Sequence, residues 1–376
     1  MYIHQLQLDR LNKLIAPNKV IVLYGPRRVG KTTLIQKFTK DLAVPYLFLN
    51  GEDVIVQKNM SVQSIEPLKN LVGEHQFLII DEAQKIPNIG VNLKLIVDHI
   101  PEIRVIATGS SAFDLAHQTG EPLTGRKYTL KLFPLAQMEI GTTESVIDTQ
   151  ANLENRLIYG SYPEVVTNAD NTFRERYLKE IVNSYLYKDI LELEGVKHSE
   201  KLVRLLQLLA LQIGKEVSFN ELGGQLSMSK NTVERYLDLL EKAFVVYRLR
   251  ALSRNVRKEI SKNHRYYFYD NGVRNALINN FNGLDLRGDI GMLWENYVIM
   301  ERLKKQEYSG ISPNFYFWRT YDQKEIDLIE ESSGELHGYE IKWGIKKNTS
   351  PQAWLKAYPN ARYEQIDRGN YLKFIT

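Results

Sequence analysis

The sequence predicts an α/β protein in four parts: a three-layer sandwich around a phosphate-binding loop, a helical lid, a winged helix and a C-terminal α/β domain. Three observations predict it. The apolar run Val20-Ile21-Val22-Leu23-Tyr24 leads into a glycine loop, Gly25-Pro26-Arg27-Arg28-Val29-Gly30-Lys31-Thr32. A second apolar run, Phe77-Leu78-Ile79-Ile80, ends in the carboxylate pair Asp81-Glu82. Strands and helices alternate up to about residue 140, after which the spacing turns helical.

The glycine loop fits G-x-x-x-x-G-K-[ST] at every fixed position, and the helix-like Thr33-Leu34-Ile35-Gln36-Lys37-Phe38 follows it. Gly25 and Gly30 allow the backbone to curl around a phosphate, and the helix N-terminus adds partial positive charge. Residues Gly25, Pro26, Arg27, Arg28, Val29, Gly30, Lys31, Thr32 and Thr33 therefore line the expected nucleotide site. Lys31 would reach the β- and γ-phosphates, and Thr32 would ligate Mg²⁺.

The apolar residues before Asp81 read as a strand buried on both faces of a parallel sheet, where ligands gather at the carboxyl edge. Asp81 would hold the Mg²⁺, directly or through water, and Glu82 would act as general base towards the attacking water. The sequence has no Asn-Lys-x-Asp, so ATP rather than GTP is expected. A strand at Tyr46-Leu47-Phe48-Leu49 lies between the two motifs, and a helix around 91–99 precedes a further strand, Ile103-Arg104-Val105-Ile106-Ala107. That last strand ends in Thr108-Gly109-Ser110-Ser111, where Thr108 or Ser110 is placed to sense a γ-phosphate; Ser110 and Ser111 read equally as helix caps. Arg126, before the strand Tyr128-Thr129-Leu130-Lys131-Leu132, is a candidate arginine finger acting on a neighbouring subunit, or a plain surface arginine.

At 376 residues the chain suits two to four domains. Its 43% hydrophobic and 25% charged content is that of an ordinary globular protein, and a net charge of +4 does not by itself argue for nucleic acid. With no cysteine there are no disulfides, zinc thiolates or cysteine nucleophiles, which suits a reducing cytoplasm. The N-terminus, Met1-Tyr2-Ile3-His4-Gln5, carries no apolar leader, and no window approaches the roughly 18 apolar residues of a membrane span. A cytoplasmic protein without membrane contact is expected.

The expected domains are 1–145 for the nucleotide core, 146–195 for the lid, 196–285 for the winged helix and 286–376 for the last domain. In the lid, Leu178, Ile181, Val182, Tyr185 and Leu186 recur at helical spacing. In the third part, Ser218 with Glu221 three residues on makes a capping box, and Lys230–Ala243 is a helix beyond a turn. Val245–Arg250 and Arg265–Tyr269 read as hairpin strands. Between 248 and 265, Arg248, Arg250, Arg254, Arg257, Lys258, Lys262 and Arg265 stand against only Glu259, a pattern that points to DNA phosphates. In the last part, Glu295 lies on a helix, Asp327 on a strand, and Glu340 and Lys342 share a face of the next strand. A turn at Ser332-Ser333-Gly334 brings Asp327 beside them, so Asp327 and Glu340, with Glu295 as a further ligand, are candidates to hold a metal that activates water against a phosphodiester, with Lys342 as catalytic partner.

These motifs, with Phe133-Pro134-Leu135, Gly160-x-Tyr162-Pro163-Glu164, Tyr267-Phe268-Tyr269-Asp270-Asn271-Gly272 and Glu295-Asn296, resemble over nearly the whole chain the bacterial and archaeal AAA-type ATPases fused to a C-terminal PD-(D/E)XK nuclease-like domain. The resemblance implies a winged helix between the ATPase and nuclease-like parts. Two functions are expected of such a chain. One is a Mg²⁺-dependent ATPase, forming an ATP-promoted homo-oligomer, that binds and remodels or cleaves duplex or branched DNA. The other is a regulatory signalling switch whose winged helix and degenerate nuclease-like domain make protein or subunit contacts.

Overall fold

A computed structural model describes residues 2–110, 123–186, 199–253, 264–320, 324–345 and 351–376. Its contacts divide the described chain into two compact units, Tyr2–Phe133 and Pro134–Thr376. Ser111, Arg254, Arg257, Lys258, Glu259 and Lys262 lie outside the described residues.

The first unit is built on five parallel strands: β1 (Lys19–Tyr24), β2 (Tyr46–Asn50), β3 (Phe77–Asp81), β4 (Arg104–Gly109) and β5 (Lys127–Lys131), in the spatial order β2-β3-β4-β1-β5. Successive side chains of a strand point to opposite faces, and in β1, β3 and β4 both faces are buried. Val20, Val22, Leu78, Ile80, Val105 and Ala107 form one core with residues of α4 (Ile65–Val72) and α5 (Ile89–His99). Ile21, Leu23, Ile79 and Ile106 are equally buried from the other side. That is also the reason α2 (Lys31–Lys40) hides Leu34, Ile35 and Phe38, with Phe38 against Phe77 at 5.9 Å between ring centroids. The strand inserted between the two nucleotide motifs is β4, which sits between β1 and β3 in the sheet; β2, between them in sequence, lies at the edge.

The second unit contains a seven-stranded sheet: β6 (Glu216–Val217), β7 (Val246–Ala251), β8 (His264–Phe268), β9 (Asn314–Arg319), β10 (Glu325–Ser332), β11 (Glu335–Ile341) and β12 (Arg362–Ile366), ordered β12-β11-β10-β9-β7-β8-β6. Three helices, Ser199–Leu211, Phe219–Leu226 and Lys230–Lys242, precede the β7–β8 hairpin. Ser218 caps the second through Glu221 N–H, and Ser229 caps the third through Thr232 N–H. The later part runs as a long helix (Ile290–Tyr308), the antiparallel β9–β10–β11, a short helix (Gln352–Ala357) and β12 parallel to β11. The β10–β11 turn places Ser333 and Gly334 at φ 52° and 82°, the two positive angles a tight two-residue hairpin requires. The hairpin and this later part share one sheet, because β7 pairs in parallel with β9, Arg250 opposite Tyr316 and Ala251 opposite Phe317.

Segments from the lid region pack within this second unit. The Leu153–Tyr159 helix lies against the Asn271–Leu277 helix, whose Asn275 Nδ2 donates to the carbonyls of Leu157 (3.1 Å) and Ile158 (2.7 Å). Gly160 follows at φ 73°, and a Cβ there would lie 2.1 Å from Asp270 Oδ1. Asp270 in turn accepts Ser161 N–H at 2.7 Å and caps the Asn271–Leu277 helix through Val273 N–H. The motifs Gly160-x-Tyr162-Pro163 and Tyr269-Asp270-Asn271-Gly272, more than a hundred residues apart, are two halves of one clasp.

Candidate functional site: a nucleotide loop and a carboxylate set

The carboxyl edge of the first sheet carries the loop, Asp81-Glu82 and Thr108 together. Gly30 adopts φ 97° ahead of α2, and Gly25 lies so close to the chain that an added Cβ would meet Leu132 O at 1.9 Å. Lys31 is buried, and its Nζ donates to the carbonyls of Gly25 (2.8 Å) and Pro26 (2.9 Å), the rim of the curl. Thr32 Oγ1 donates to Asp81 Oδ2 at 2.9 Å. The other oxygen, Asp81 Oδ1, accepts from the Thr108 hydroxyl, which also takes Glu82 N–H at 3.3 Å. Of the two candidates at the end of β4, Thr108 thus touches Asp81, while Ser110 Oγ accepts from Gln84 Nε2 at 3.3 Å. Glu82 sits in the left-handed region, φ 50° and ψ 42°, and its carboxylate accepts from Gln84 Nε2 at 2.5 Å.

Thr32 and Asp81 offer two hard oxygen donors side by side, which suits Mg²⁺, and the buried curl closed by a lysine suits a phosphate. The residues present fit Mg²⁺-nucleotide.

Two positions missed in the sequence support this edge. Gln5 is buried, and its Nε2 donates to Val29 O at 2.9 Å, holding the loop from beneath. Gly51 donates its N–H to Asp81 O at 2.8 Å, and a Cβ there would meet Glu82 O at 2.3 Å. Neither carries a local signal, since each acts through a contact distant in sequence. Arg126 lies at the opposite edge of the sheet, just before Lys127, which pairs with Val20 at the start of β1, and its guanidinium is bound to Asp98.

The second unit brings Glu295, Asp327, Glu340 and Lys342 together, with additions the sequence did not announce. Leu328 pairs with Tyr339 across β10–β11, so Asp327 and Glu340 are neighbours on one face. Lys342 Nζ lies 3.2 Å from Glu340 Oε1 and 3.7 Å from Asp327 Oδ2. Asp327 Oδ2 accepts Ile341 N–H at 2.9 Å, and Glu340 Oε2 accepts from Tyr363 at 2.6 Å. Tyr267 donates to Glu295 Oε1 at 2.7 Å. The addition that changes the chemistry is Arg265: its guanidinium lies 2.6 Å from Glu325, 3.6 Å from Asp327 and 4.0 Å from Glu295.

Burial pushes the Glu295 carboxyl up to about 8, and the nearby Asp327 charge adds to this while Arg265 opposes it. Burial also raises Asp327, with Lys342, the Ile341 N–H and Arg265 pulling the other way. For Lys342 burial works downward, yet Asp327 and Glu340 outweigh it and hold the ammonium above its ordinary value.

The metal expected on Asp327, Glu340 and Glu295 does not fit this arrangement. Among the described residues no three or more His, Cys, Asp or Glu side chains stand so as to hold a metal ion. Of the basic stretch, Arg265 is buried among carboxylates and Arg248 pairs with Glu241 at 2.8 Å, while Arg250 is exposed. A buried guanidinium needs an anionic partner, which a count of basic residues does not reveal.

Residues 17–141 match the family model described as an AAA domain. Residues 150–283 match a domain of unknown function (DUF8612), and residues 290–370 another (DUF4143). The chain is 28% identical over 337 residues to an uncharacterized protein of Mycobacterium tuberculosis, covering 89% of this chain and 72% of that one. It is 28% identical over 357 residues to an uncharacterized protein of Haemophilus influenzae (87% and 83% covered) and 25% identical over 386 residues to one of Methanocaldococcus jannaschii (97% and 83%). Among solved structures, the Signal Transduction ATPase with Numerous Domains (STAND) protein with a tetratricopeptide repeat sensor from Pyrococcus horikoshii aligns at TM-score 0.30 and 13% identity, over 81% of this chain and 46% of that one. The chain thus spans about half the length of that structure. No helix among the described residues is long and apolar enough to cross a membrane. The loop, Asp81-Glu82 and Thr108 all fall within the residues that match the AAA domain model, and the carboxylates Glu295, Asp327 and Glu340 within those that match the DUF4143 model.

Proposed function

We propose that this chain is a Mg²⁺-dependent ATP hydrolase whose cycle acts on DNA. The observation that carries the reading is the 2.9 Å contact of Thr32 Oγ1 with Asp81 Oδ2 beneath a curled loop that Lys31 closes. Thr32 and Asp81 would hold the Mg²⁺, which when bound neutralises charge on the phosphates. Lys31 exchanges the carbonyls of Gly25 and Pro26 for the β- and γ-phosphates. Glu82, released by Gln84, takes the proton of the water that attacks the γ-phosphorus, and ADP leaves. Thr108 keeps Asp81 oriented throughout.

DNA as the object is supported by the winged-helix order of the second unit, three helices followed by the β7–β8 hairpin, and by the exposed Lys230, Asn231, Arg235 and Arg250. Assembly is part of the proposal, because Arg126 acts as a finger only on the nucleotide of a second copy, in an ATP-promoted homo-oligomer.

ATPase rates with and without duplex and four-way-junction DNA test both halves. Wild type should hydrolyse ATP in Mg²⁺ and respond to DNA. Glu82→Gln should bind ATP yet turn it over about 10²–10⁴-fold more slowly, the usual share of a general base. Unchanged turnover in Glu82→Gln removes the proposed base. Hydrolysis indifferent to every DNA would leave the alternative, a signalling switch. Light scattering of Glu82→Gln with ATP reads the assembly, and a monomer throughout excludes the finger.

A further inference from the structure

The carboxylate–lysine set of the second unit contains a cation of its own. Arg265 projects from β8, buried to 4% exposure, with its guanidinium over the Phe317 ring at 4.6 Å. It meets Glu325, Asp327 and Glu295 at 2.6, 3.6 and 4.0 Å, carboxylates from β10 and from the Ile290–Tyr308 helix. We propose that the Arg265 guanidinium stands in the place of a divalent cation among Glu295, Glu325 and Asp327, so that the wild-type chain binds no metal there and the set clamps the hairpin to the C-terminal strands instead of cutting a phosphodiester.

The partners of Asp327, of Glu295 and of the adjoining Glu340 argue for this. Asp327 has Arg265 on one oxygen, and Ile341 N–H with Lys342 on the other. Glu340 has Lys342 on Oε1 and the Tyr363 hydroxyl on Oε2. Glu295 has Tyr267 and Arg265 on Oε1. A divalent ion entering here would displace protein donors and then sit beside a guanidinium that cannot lose its proton. A guanidinium supplies donors only. It gives no vacant position for a phosphate oxygen or a water, and so has none of the Lewis acidity that metal-assisted hydrolysis needs.

Mn²⁺ binding to the full chain without nucleotide, followed by electron paramagnetic resonance, tests the proposal. Asp327→Asn, which keeps an acceptor for Ile341 N–H, removes the central anion; any Mn²⁺ at the nucleotide loop is common to both proteins and cancels. Wild type and Asp327→Asn should bind Mn²⁺ equally up to millimolar concentration. Binding by wild type that Asp327→Asn abolishes overturns the proposal. Arg265→Met should gain Mn²⁺ binding at least tenfold tighter than wild type, lost again in Arg265→Met/Asp327→Asn, and Mn²⁺ should raise the Tm of Arg265→Met but not of wild type. A folded Arg265→Met that gains no such binding also overturns it. If Arg265→Met does not fold, the wild-type and Asp327→Asn pair alone decides.

Discussion

The nucleotide loop and the C-terminal carboxylate set use the same residue types, and the structure treats them in opposite ways. At the loop, Lys31 rests on two backbone carbonyls, neutral partners that it can exchange for a phosphate. In the carboxylate set, Lys342 and Arg265 rest on acidic side chains, the buried Asp327 among them, and leaving it would strand polar groups inside the fold. An ordered lysine beside a carboxylate is therefore weak evidence of catalysis. What it is bound to, and at what cost it can let go, separates a site waiting for a ligand from one already satisfied.

The sharpest way to break that contrast is to remove each lysine in turn. Lys31→Met should cost roughly 10²–10³ in kcat/KM for ATP, the scale of one lost charge clamp on the transferring phosphoryl group. Lys342→Met should show instead in the unfolding midpoint, at about 1–3 kcal/mol for a carboxylate left short of a partner. Equal effects on turnover would erase the distinction. Gly160→Ala comes next: its Cβ would collide with Asp270 at φ 73°, so chemical denaturation should report a loss of roughly 3 kcal/mol. Gly224→Ala, in a helix with open space around it, should gain about 0.5–1 kcal/mol in the same assay.

Gln5→Ala should raise the KM for ATP about fivefold with little change in kcat, because one hydrogen bond to Val29 O, worth about 1 kcal/mol, positions the loop. A fall in kcat alone would put Gln5 elsewhere in the cycle. The smallest effect concerns His264, beside Arg265. Burial, aided by Arg248 and Arg250, holds its imidazole down at about 4 against an ordinary 6.5. The folded chain keeps it neutral while the unfolded chain protonates it first. Stability from this group is therefore complete above about pH 6.5 and declines as pH falls towards 4. For a half-buried side chain the loss should be under about 1 kcal/mol. His264→Gln should flatten that part of the stability–pH curve.

The first sheet was largely legible, because β1, β3 and β4 are short apolar runs closed by glycine or carboxylate, and its chemistry sits within a few residues of those closures. The helix caps at Ser218 and the tight turn at Ser333-Gly334 were legible for the same local reason. In the carboxylate set the members were legible but their state was not. Glu340 and Lys342 announce a shared face, whereas nothing near Arg265 shows that it turns inward to meet Asp327, 62 residues away. Gln5 under the loop, Gly51 under Glu82 and the grip of Asp270 on Ser161 are illegible likewise. Each rests on a tertiary contact that leaves no period, run or motif behind.

The parallel β7–β9 pair has a practical consequence for anyone dividing this protein. A fragment ending near residue 285, a natural place to separate a hairpin domain from the C-terminal strands, would strip β7 of its neighbour and expose the backbone N–H and C=O groups of Arg250, Ala251 and Leu252 that now face β9. It would also free Arg265 from all three of its carboxylates. Such a piece presents a bare sheet edge beside an unsatisfied cation, the combination that invites strand addition from other chains. Soluble fragments are better sought by cutting at Pro134, where the chain passes from one compact unit to the other, than within the seven-stranded sheet.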